Sequence, residues 1–440
     1  MKKLLAMILI ILSCLFTTGC TITPIEKQYD KSDLQYLLLN KSSAKQKYIN
    51  TEEYNNFIRA VGEFSTDLSE KVYLRYNEKY DRLAISPISI YMALAMMTGA
   101  ALEEVRDELV NLLGIPYDMI VEYTKYLYSS LNREQKADMG GITHSIQLSN
   151  SVWLNDNVEH KDDGIELLRN AFYTDSYAVP FTIDNESANK AVKDYICRNT
   201  KGLINKDYNF DQYTLFLLIN TLYLKDTWDI FGDPLPYTQN TYDFKNQNGT
   251  TKSMKLLKGD YFRGAVQQGD GFEYFYTSTS HRVKLYFIKP TFKSLDEIYN
   301  NDNLDTILSD DDYNYINEDL KEEYYTRCFF PEFDASFDED LSSLFSEDYG
   351  VSKMFRETIA NFDKVTDEIC YIKQMTHQTK LIVDKKGIEG AAVTISAAGG
   401  TGFPSETYKK IYYDFIINQS FGFMMTIDNV VLFSGVVNNI

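Results

Sequence analysis

The segment that most restricts the architecture is 90–98, IYMALAMMT, which is apolar on almost every side. A helix without a polar face has to be surrounded by other elements, so this chain needs a large domain with structure on all sides of it. The preceding Ser86-Pro87-Ile88-Ser89 marks the start of that helix, because proline suits a first helical turn, where its missing N–H leaves nothing unsatisfied. With 440 residues, 44% of them hydrophobic, the chain can bury such a core.

The run 214–224, TLFLLINTLYL, points the same way. It suits a central strand covered on both faces, with Asn220 as a buried amide in need of partners. An amphipathic helix is expected at 54–72, a short strand at 83–85, and a second amphipathic helix at 102–113 that stops at Gly114. Strand signals follow at 146–154 and 283–288, and Asn248-Gly249 marks a hairpin between Phe244 and Met254. The acidic stretch 304–320 reads as a surface helix and loop, and Phe329-Phe330 as a strand ended by Pro331. Three closely spaced apolar strands at 415–417, 421–425 and 430–437 close the chain. Helices and strands in mixed order, without an internal repeat, give one α+β domain over residues 51–440.

The N-terminus is of a different kind. Lys2 and Lys3 precede a mostly apolar run at 4–16, and Thr17-Thr18-Gly19-Cys20 closes it. That run is shorter than the ~20 residues a membrane-spanning helix needs, so residues 1–19 read as a signal peptide. A cysteine just after a small residue resembles the bacterial lipoprotein box, although Thr17 stands where leucine is usual. Cys20 is then the lipid attachment site, residues 20–50 form a polar tether, and the protein is an extracytoplasmic, membrane-anchored lipoprotein; simple secretion is the alternative.

Composition and motifs exclude several functions. Lys+Arg 44 against Asp+Glu 63 gives a net charge of −19, which argues against nucleic acid as a partner. His144, His160, His281 and His377 make neither HExxH nor an i, i+4 pair, and there is no GxSxG elbow and no phosphate-binding glycine loop. The clusters Asp310-Asp311-Asp312 and Asp338-Glu339-Asp340 lack the alternating ligands of a calcium loop and read as solvated helix ends or loops. Cys197, Cys328 and Cys370 are far apart and form no CxxC pair, so they read as core thiols. Cys370 and His377 alone do not make a nucleophile–base pair, which also needs an oxyanion hole and an orienting group. No enzyme, metal site or cofactor is expected.

The stretch 385–410, KKGIEGAAVTISAAGGTGFPSETYKK, remains. From Gly387 to Gly402 it carries one charge, Glu389, and no proline, and its Val, Thr and Ile favour pleated structure. It reads as a loop that could become a strand, the alternative from composition being a flexible Gly/Ala surface loop. In a strand, alternate side chains face one side. Ile388, Gly390, Ala392, Thr394, Ser396 and Ala398 form one set, and none is charged or bulky enough to block entry into a sheet.

Taken together, several motifs resemble the serpin family over residues 54–440. They are Ser86-Pro87-x-Ser89 before the apolar helix, Asn220 with Trp228 eight residues on, and Phe330-Pro331-x-Phe333. His377 before KKGxEGAA, Ser420-Phe421-Gly422-Phe423, and Leu432-Phe433-Ser434-Gly435 complete the set. The resemblance implies three β-sheets with eight or nine surrounding helices and an exposed reactive loop at about 387–410. It implies a monomeric suicide-substrate inhibitor of an extracellular serine protease, or of a cysteine protease, that forms a covalent complex. It assigns the hinge to Lys385, Gly387, Ile388, Glu389, Gly390, Ala391 and Ala392, and a sheet-opening polar cluster to Ser86, Ser89, Asn220 and His377.

The sequence departs from the family pattern in three places. Lys385 stands where the inhibitory hinge usually has an acid, which implies loss of an ion pair. Ile388 replaces a threonine, and Gly390 an alanine. Counting from Gly387 puts the cleaved bond at Thr401-Gly402; counting back from Ser420 puts it near Lys409-Lys410, eight residues later. The first is preferred, because the second leaves ~25 Å of slack at ~3.3 Å per residue. Thr401 would suit an elastase-like protease, and Lys409 or Lys410 a trypsin-like one. The alternative to inhibition is a surface binding module whose loop is only a substrate, and Lys385 and the loop length favour it.

Overall fold

The computed structural model describes residues 37–40, 49–136, 142–228, 233–310, 316–317, 319–357, 362–389 and 408–440. The chain divides into two units, Met1–Gln35 and Tyr36–Ile440, and all described residues belong to the second. The signal peptide, Cys20, hinge residues Gly390, Ala391 and Ala392, and the bond Thr401-Gly402 lie outside the described residues.

Two helices carry the centre of the fold. α1 (Glu52–Tyr76) is capped by Thr51, whose side chain accepts the Tyr54 N–H, and it buries a stripe that includes Phe57, Val61, Leu68 and Val72. α2 (Pro87–Ala100) is buried at every position except Ala93, as an all-apolar helix requires. α3 (Glu103–Leu113) ends at Gly114, whose φ of +64° suits glycine. α4 (Tyr117–Leu131), α5 (Asp162–Phe172), α6 (Asn185–Asn199) and α7 (Asn301–Ser309) complete the longer helices among the described residues.

The strands that position the site are β1 (Leu37–Asn40), β2 (Arg82–Ile85), β3 (Ile142–Asn155), β4 (Thr174–Val179), β5 (Phe216–Thr227) and β6 (Lys284–Pro290). They continue with β7 (Glu322–Phe330), β8 (Phe333–Asp340), β9 (Thr376–Asp384), β10 (Gly387–Glu389), β11 (Lys409–Ile416), β12 (Phe421–Ile427) and β13 (Val430–Val437). One path of neighbours runs β1-β4-β3-β5-β10-β9-β8-β2-β13-β12-β6 and on into Phe272–Ser278 and Gln267–Gln268. Two of the three expected sheets are thus joined, through the single parallel pair Ser336–Leu83. The third is a five-stranded sheet centred on β7, with β11 parallel to it. A separate hairpin, Tyr242–Lys245 and Thr251–Met254, turns with Gly249 at φ +82°. The architecture is α+β, with a large sheet, smaller sheets and helices around them.

Three local expectations change. Residues 37–40, expected in the tether, form an antiparallel strand on β4, whose outer edge is otherwise open to an extended apolar segment. Asp338, Glu339 and Asp340 end a strand rather than a helix or loop. Phe333, Ala335 and Phe337 alternate inward on β8, and Lys206 and Lys79 pair with Asp338 and Glu339. Pro331 does not simply end a strand; it separates β7 and β8, which belong to different sheets.

Candidate functional site

The site is a gap in the large sheet. β5 is paired along its length with β3, from Phe216 opposite Leu154 to Lys225 opposite Ser145. β9 is paired along its length with β8. The facing edges of β5 and β9 meet only through β10, which is antiparallel to both. Below β10, the edge at 216–224 of β5 and the edge at 376–381 of β9 have no strand between them among the described residues. A cavity of about 850 Å³ occupies that space, lined among others by Ser86, Ser89, Asn220 and His377. Two exposed backbone edges facing one another are a ready template for a further strand.

β10 is the start of the small-residue stretch, docked in the sheet. Asp384 holds the tight turn before it, accepting the N–H groups of Lys386 (2.7 Å) and Gly387 (3.1 Å). Gly387 pairs with Thr227 and Asp384, Ile388 with Asp226 and Val383, and Glu389 with Lys225 and Ile382. Only glycine fits at 387, because a Cβ there would lie 1.7 Å from the Asp226 carbonyl oxygen. Ile388 is buried and Glu389 exposed, so Ile388 faces the main core. Trp228 donates its Nε1–H to the Asp384 carbonyl (2.6 Å) at the top of the gap.

Three of the four expected cluster residues meet. The Ser86 N–H donates to His377 Nε2 (3.1 Å), and the Ser86 hydroxyl to Ser89 Oγ (3.0 Å). Ser86 stands at the N-cap of α2, yet its side chain makes no cap bond and turns to Ser89 instead. Because Nε2 accepts, His377 is neutral, and burial pushes its imidazole down to about 3. Asn220 stands across the gap. It donates to Asn150 Oδ1 (2.7 Å), and Asn150 in turn donates to the Phe172 carbonyl (2.6 Å). Asn220 is half-buried rather than covered on both faces, because one edge of β5 borders the cavity; its Oδ1 has no hydrogen-bond partner among the described residues.

The segment after α6 roofs the gap and is tied to the far strands. Lys206 pairs with Asp338 (2.7 Å), Tyr208 donates to Gln378, and Lys373 pairs with Asp211. This strap was not expected from sequence; its residues are ordinary loop chemistry until folding places them over β8 and β9.

Lys385 does not leave the top of the sheet without a carboxylate. Its N–H donates to Glu332 Oε1 (2.8 Å) just before β8, and its ammonium lies 5.9 Å from the Tyr237 ring centre. That carboxylate comes from the connection between β7 and β8 and accepts a main-chain N–H, so it does not stand in for an ion pair at position 385. The alternative cleavage site Lys409-Lys410 begins β11, hydrogen-bonded beside β7, with Lys409 paired to Glu322 (3.2 Å). The loop therefore ends before 409, and that bond sits in a ladder rather than in an extended segment. Cys197, Cys328 and Cys370 are buried and form no disulfide among the described residues, and burial pushes Cys370 up to about 12, which keeps it unreactive.

Among the described residues, no group of three or more His, Cys, Asp or Glu could hold a metal ion, and no helix is long and apolar enough to cross a membrane.

Comparison with known proteins gives the following. The family model described as Serpin (serine protease inhibitor) matches residues 59–440. An uncharacterized serpin-like protein of Methanosarcina acetivorans is 24% identical over 354 residues, covering 78% of this chain and 77% of its own. Serpin A3-5 of Bos taurus is 26% identical over 343 residues, covering 76% and 78%. Among solved structures, the thermophilic serpin tengpin in its native state has a TM-score of 0.67 at 19% identity, covering 92% of this chain and 100% of its own. Human thyroxine-binding globulin has a TM-score of 0.67 at 18% identity, covering 87% and 99%.

Proposed function

Because this chain belongs to the serpin family, whose members are in general protease inhibitors rather than catalysts, we propose that it inhibits serine proteases by giving up its own loop to them. The protease serine attacks the Thr401 carbonyl carbon, and the bond to Gly402 breaks. The new amine takes a proton, and Thr401 is left as an ester on the protease. The freed loop then enters the gap below β10 as a new strand and carries the protease with it before water can cleave the ester. The same reaction with a cysteine protease would leave a thioester.

The observation that carries this reading is the docked β10 above a gap that holds no further strand among the described residues. Ile388 is opposite Asp226 on one side and Val383 on the other. Each further loop residue moves one step back along both strands. Gly390, Ala391 and Ala392 then follow Glu389 into the gap, and Thr394 arrives between Asn220 and His377. The loop's small inward residues meet the polar cluster there, and the unpartnered Asn220 Oδ1 gains a hydroxyl donor within reach. Residues 1–19 act as a signal peptide, Cys20 carries the lipid, and the inhibitor works as a monomer outside the cytoplasm, tethered to the membrane through 20–50.

The binding-module alternative is favoured by the long stretch between Glu389 and Lys409 and by the existence of thyroxine-binding globulin as a protein of this fold. Mixing the protein with elastase-, trypsin- and chymotrypsin-like proteases separates the two. A denaturant-resistant band at the summed mass is expected, with a C-terminal peptide starting at Gly402. Complete loop cleavage with full protease activity remaining would overturn inhibition in favour of the module. Cys20→Ser should move the protein from the membrane to the soluble fraction.

A further inference from the structure

The top of the gap holds a side-chain cluster that the inhibitory reading does not use. Asp226 of β5 lies opposite Ile388 of β10, and each is 1% exposed. One step beyond the Ser145–Lys225 pair brings His144 of β3 level with Asp226 from the other side. His281, in the turn before β6, stacks on His144 with ring centres 4.4 Å apart at 14°, and its Nδ1 is 4.0 Å from Asp226 Oδ1. Both histidines are buried. Among the described residues, neither Asp226 carboxyl oxygen and not His144 Nδ1 makes a hydrogen bond. The parallel rings face one another and do not converge on a point, so the trio is not a metal site.

A carboxyl so placed is hard to ionise. Burial pushes Asp226 well above the usual range; the nearby Thr279 hydroxyl and Thr227 N–H pull more weakly the other way. Burial pushes His144 down to about 4 and His281 down to about 3, with Arg133 adding to both effects. Arg133 is itself paired to Asp428 (2.7 Å). On the neighbouring elements, Lys225 and Glu389 are one residue from the Asp226–Ile388 pair and so face the other side of the sheet, where Tyr223 donates to Glu389 (3.5 Å). Arg282 follows His281 in its turn, and Lys284 lies over the Tyr276 and Tyr286 rings.

We propose that Asp226, with His281 and His144 stacked beside it, is a proton-operated latch on the hinge: β10 docks over a neutral Asp226 and is released when that carboxyl ionises. The inhibitory reading supplies only the purpose of such a latch, since docking can be read with no protease present. Withdrawing Ile388 admits water to Asp226 and weakens its hold on the proton. Docking therefore takes up a proton, and falling pH favours it by up to about tenfold per pH unit between the undocked and docked values. Below about 4 the histidines begin to take up protons and the sign reverses.

Trp228 reports the hinge, because its indole is bound to the Asp384 carbonyl beside the Thr227–Gly387 pair. The sequence has two tryptophans, so Trp153→Phe isolates its emission. In the full chain, Trp228 should become better shielded from acrylamide as pH falls from 8.5 to 5. Amide protection at 387–389, corrected for intrinsic exchange, should rise over the same range. Asp226→Asn, a neutral near-isostere, should hold protection at its acid-end value at every pH. A wild-type hinge that does not respond to pH, or the same response in Asp226→Asn, overturns the latch. Should that variant not fold, the histidine C2–H resonances of the wild-type protein decide. Neither His144 nor His281 should titrate between pH 5 and 8, and either one titrating near 6.5 would show the cluster open to water and the latch absent.

Discussion

Thr394→Val removes one hydroxyl from the loop and tests where the sheet register delivers it. If the register of the docked pairs Ile388–Asp226 and Ile388–Val383 continued for six steps on insertion, residue 394 would come opposite Asn220 and His377. Asn220 Oδ1 is buried and has no hydrogen-bond partner among the described residues. On the proposed path, insertion would close the gap around that acceptor. With threonine, a donor arrives with the strand; with valine, the acceptor is sealed in without one. Leaving a buried acceptor unsatisfied costs about 1–3 kcal/mol. Insertion as a whole can add ~10 backbone hydrogen bonds along 216–224 and 376–381, so at ~1 kcal/mol each the gain is of order 10 kcal/mol. The valine variant should therefore still insert, yet be measurably less stable once cleaved. In the uncleaved protein the change should stay within about 0.5 kcal/mol. Guanidinium unfolding of uncleaved and loop-cleaved protein, for both sequences, gives the four numbers required. Pairing the variant with Asn220→Ala in a double-mutant cycle should return a coupling of ~1 kcal/mol or more in the cleaved form only. An equal cost in both forms, or none in the cleaved form, would refute the register and with it the proposed path of the loop.

Other outcomes follow from the same geometry. Gly387→Ala drives a Cβ to 1.7 Å from the Asp226 carbonyl oxygen and 2.7 Å from its carbon, a backbone clash that cannot yield. β10 should leave the sheet, losing the ~2 kcal/mol of Ile388 burial, with exchange protection lost at 387–389 but kept along β3 and β5. His144, His281 and His377 all hold protons less tightly in the fold, so each contributes stability that is complete above about 6.5 and lost as pH falls toward 4 to 3. Asp226, held protonated, has the opposite sign and offsets one of them. Unfolding midpoints should thus fall on acidification, by roughly 1.4 kcal/mol per pH unit for each net proton, and His377→Gln should reduce that slope; a flat profile from pH 6 to 4 would contradict the buried imidazoles. Finally, a trypsin-like protease should leave Lys409-Lys410 intact in the native protein, because that bond is held in the β7–β11 ladder; a C-terminal peptide beginning at Lys410 would show otherwise.

Much of the site could be read from the chain because the relevant signals are local. An all-apolar stretch after Ser86-Pro87 has to be a buried helix wherever it lies. The alternation of small and larger residues from Ile388 onward says that one face can enter a sheet. What could not be read is whatever depends on two distant segments meeting. The hinge was legible as a strand candidate, but its docked state depends on Asp226 and Val383 lying on either side of Ile388. Asp226 within LKDTW gives no sign of burial, and His144 and His281 are lone histidines until β3 and the turn before β6 bring their rings together. That the Lys385 N–H meets a carboxylate could not be read either, because Glu332 is 53 residues away.

Sequence alone determined the α+β class of the fold and the place of its buried central helix, since composition and periodicity act over a few neighbouring residues; the polar cluster was implied only by the resemblance of its motifs to a family. Tertiary structure alone decided that no described strand lies between β5 and β9 below β10, that three loop residues already occupy the top of that gap, and that a carboxyl and two imidazoles lie beneath them. Strand register and burial are properties of pairs of segments, and only folding creates the pairs.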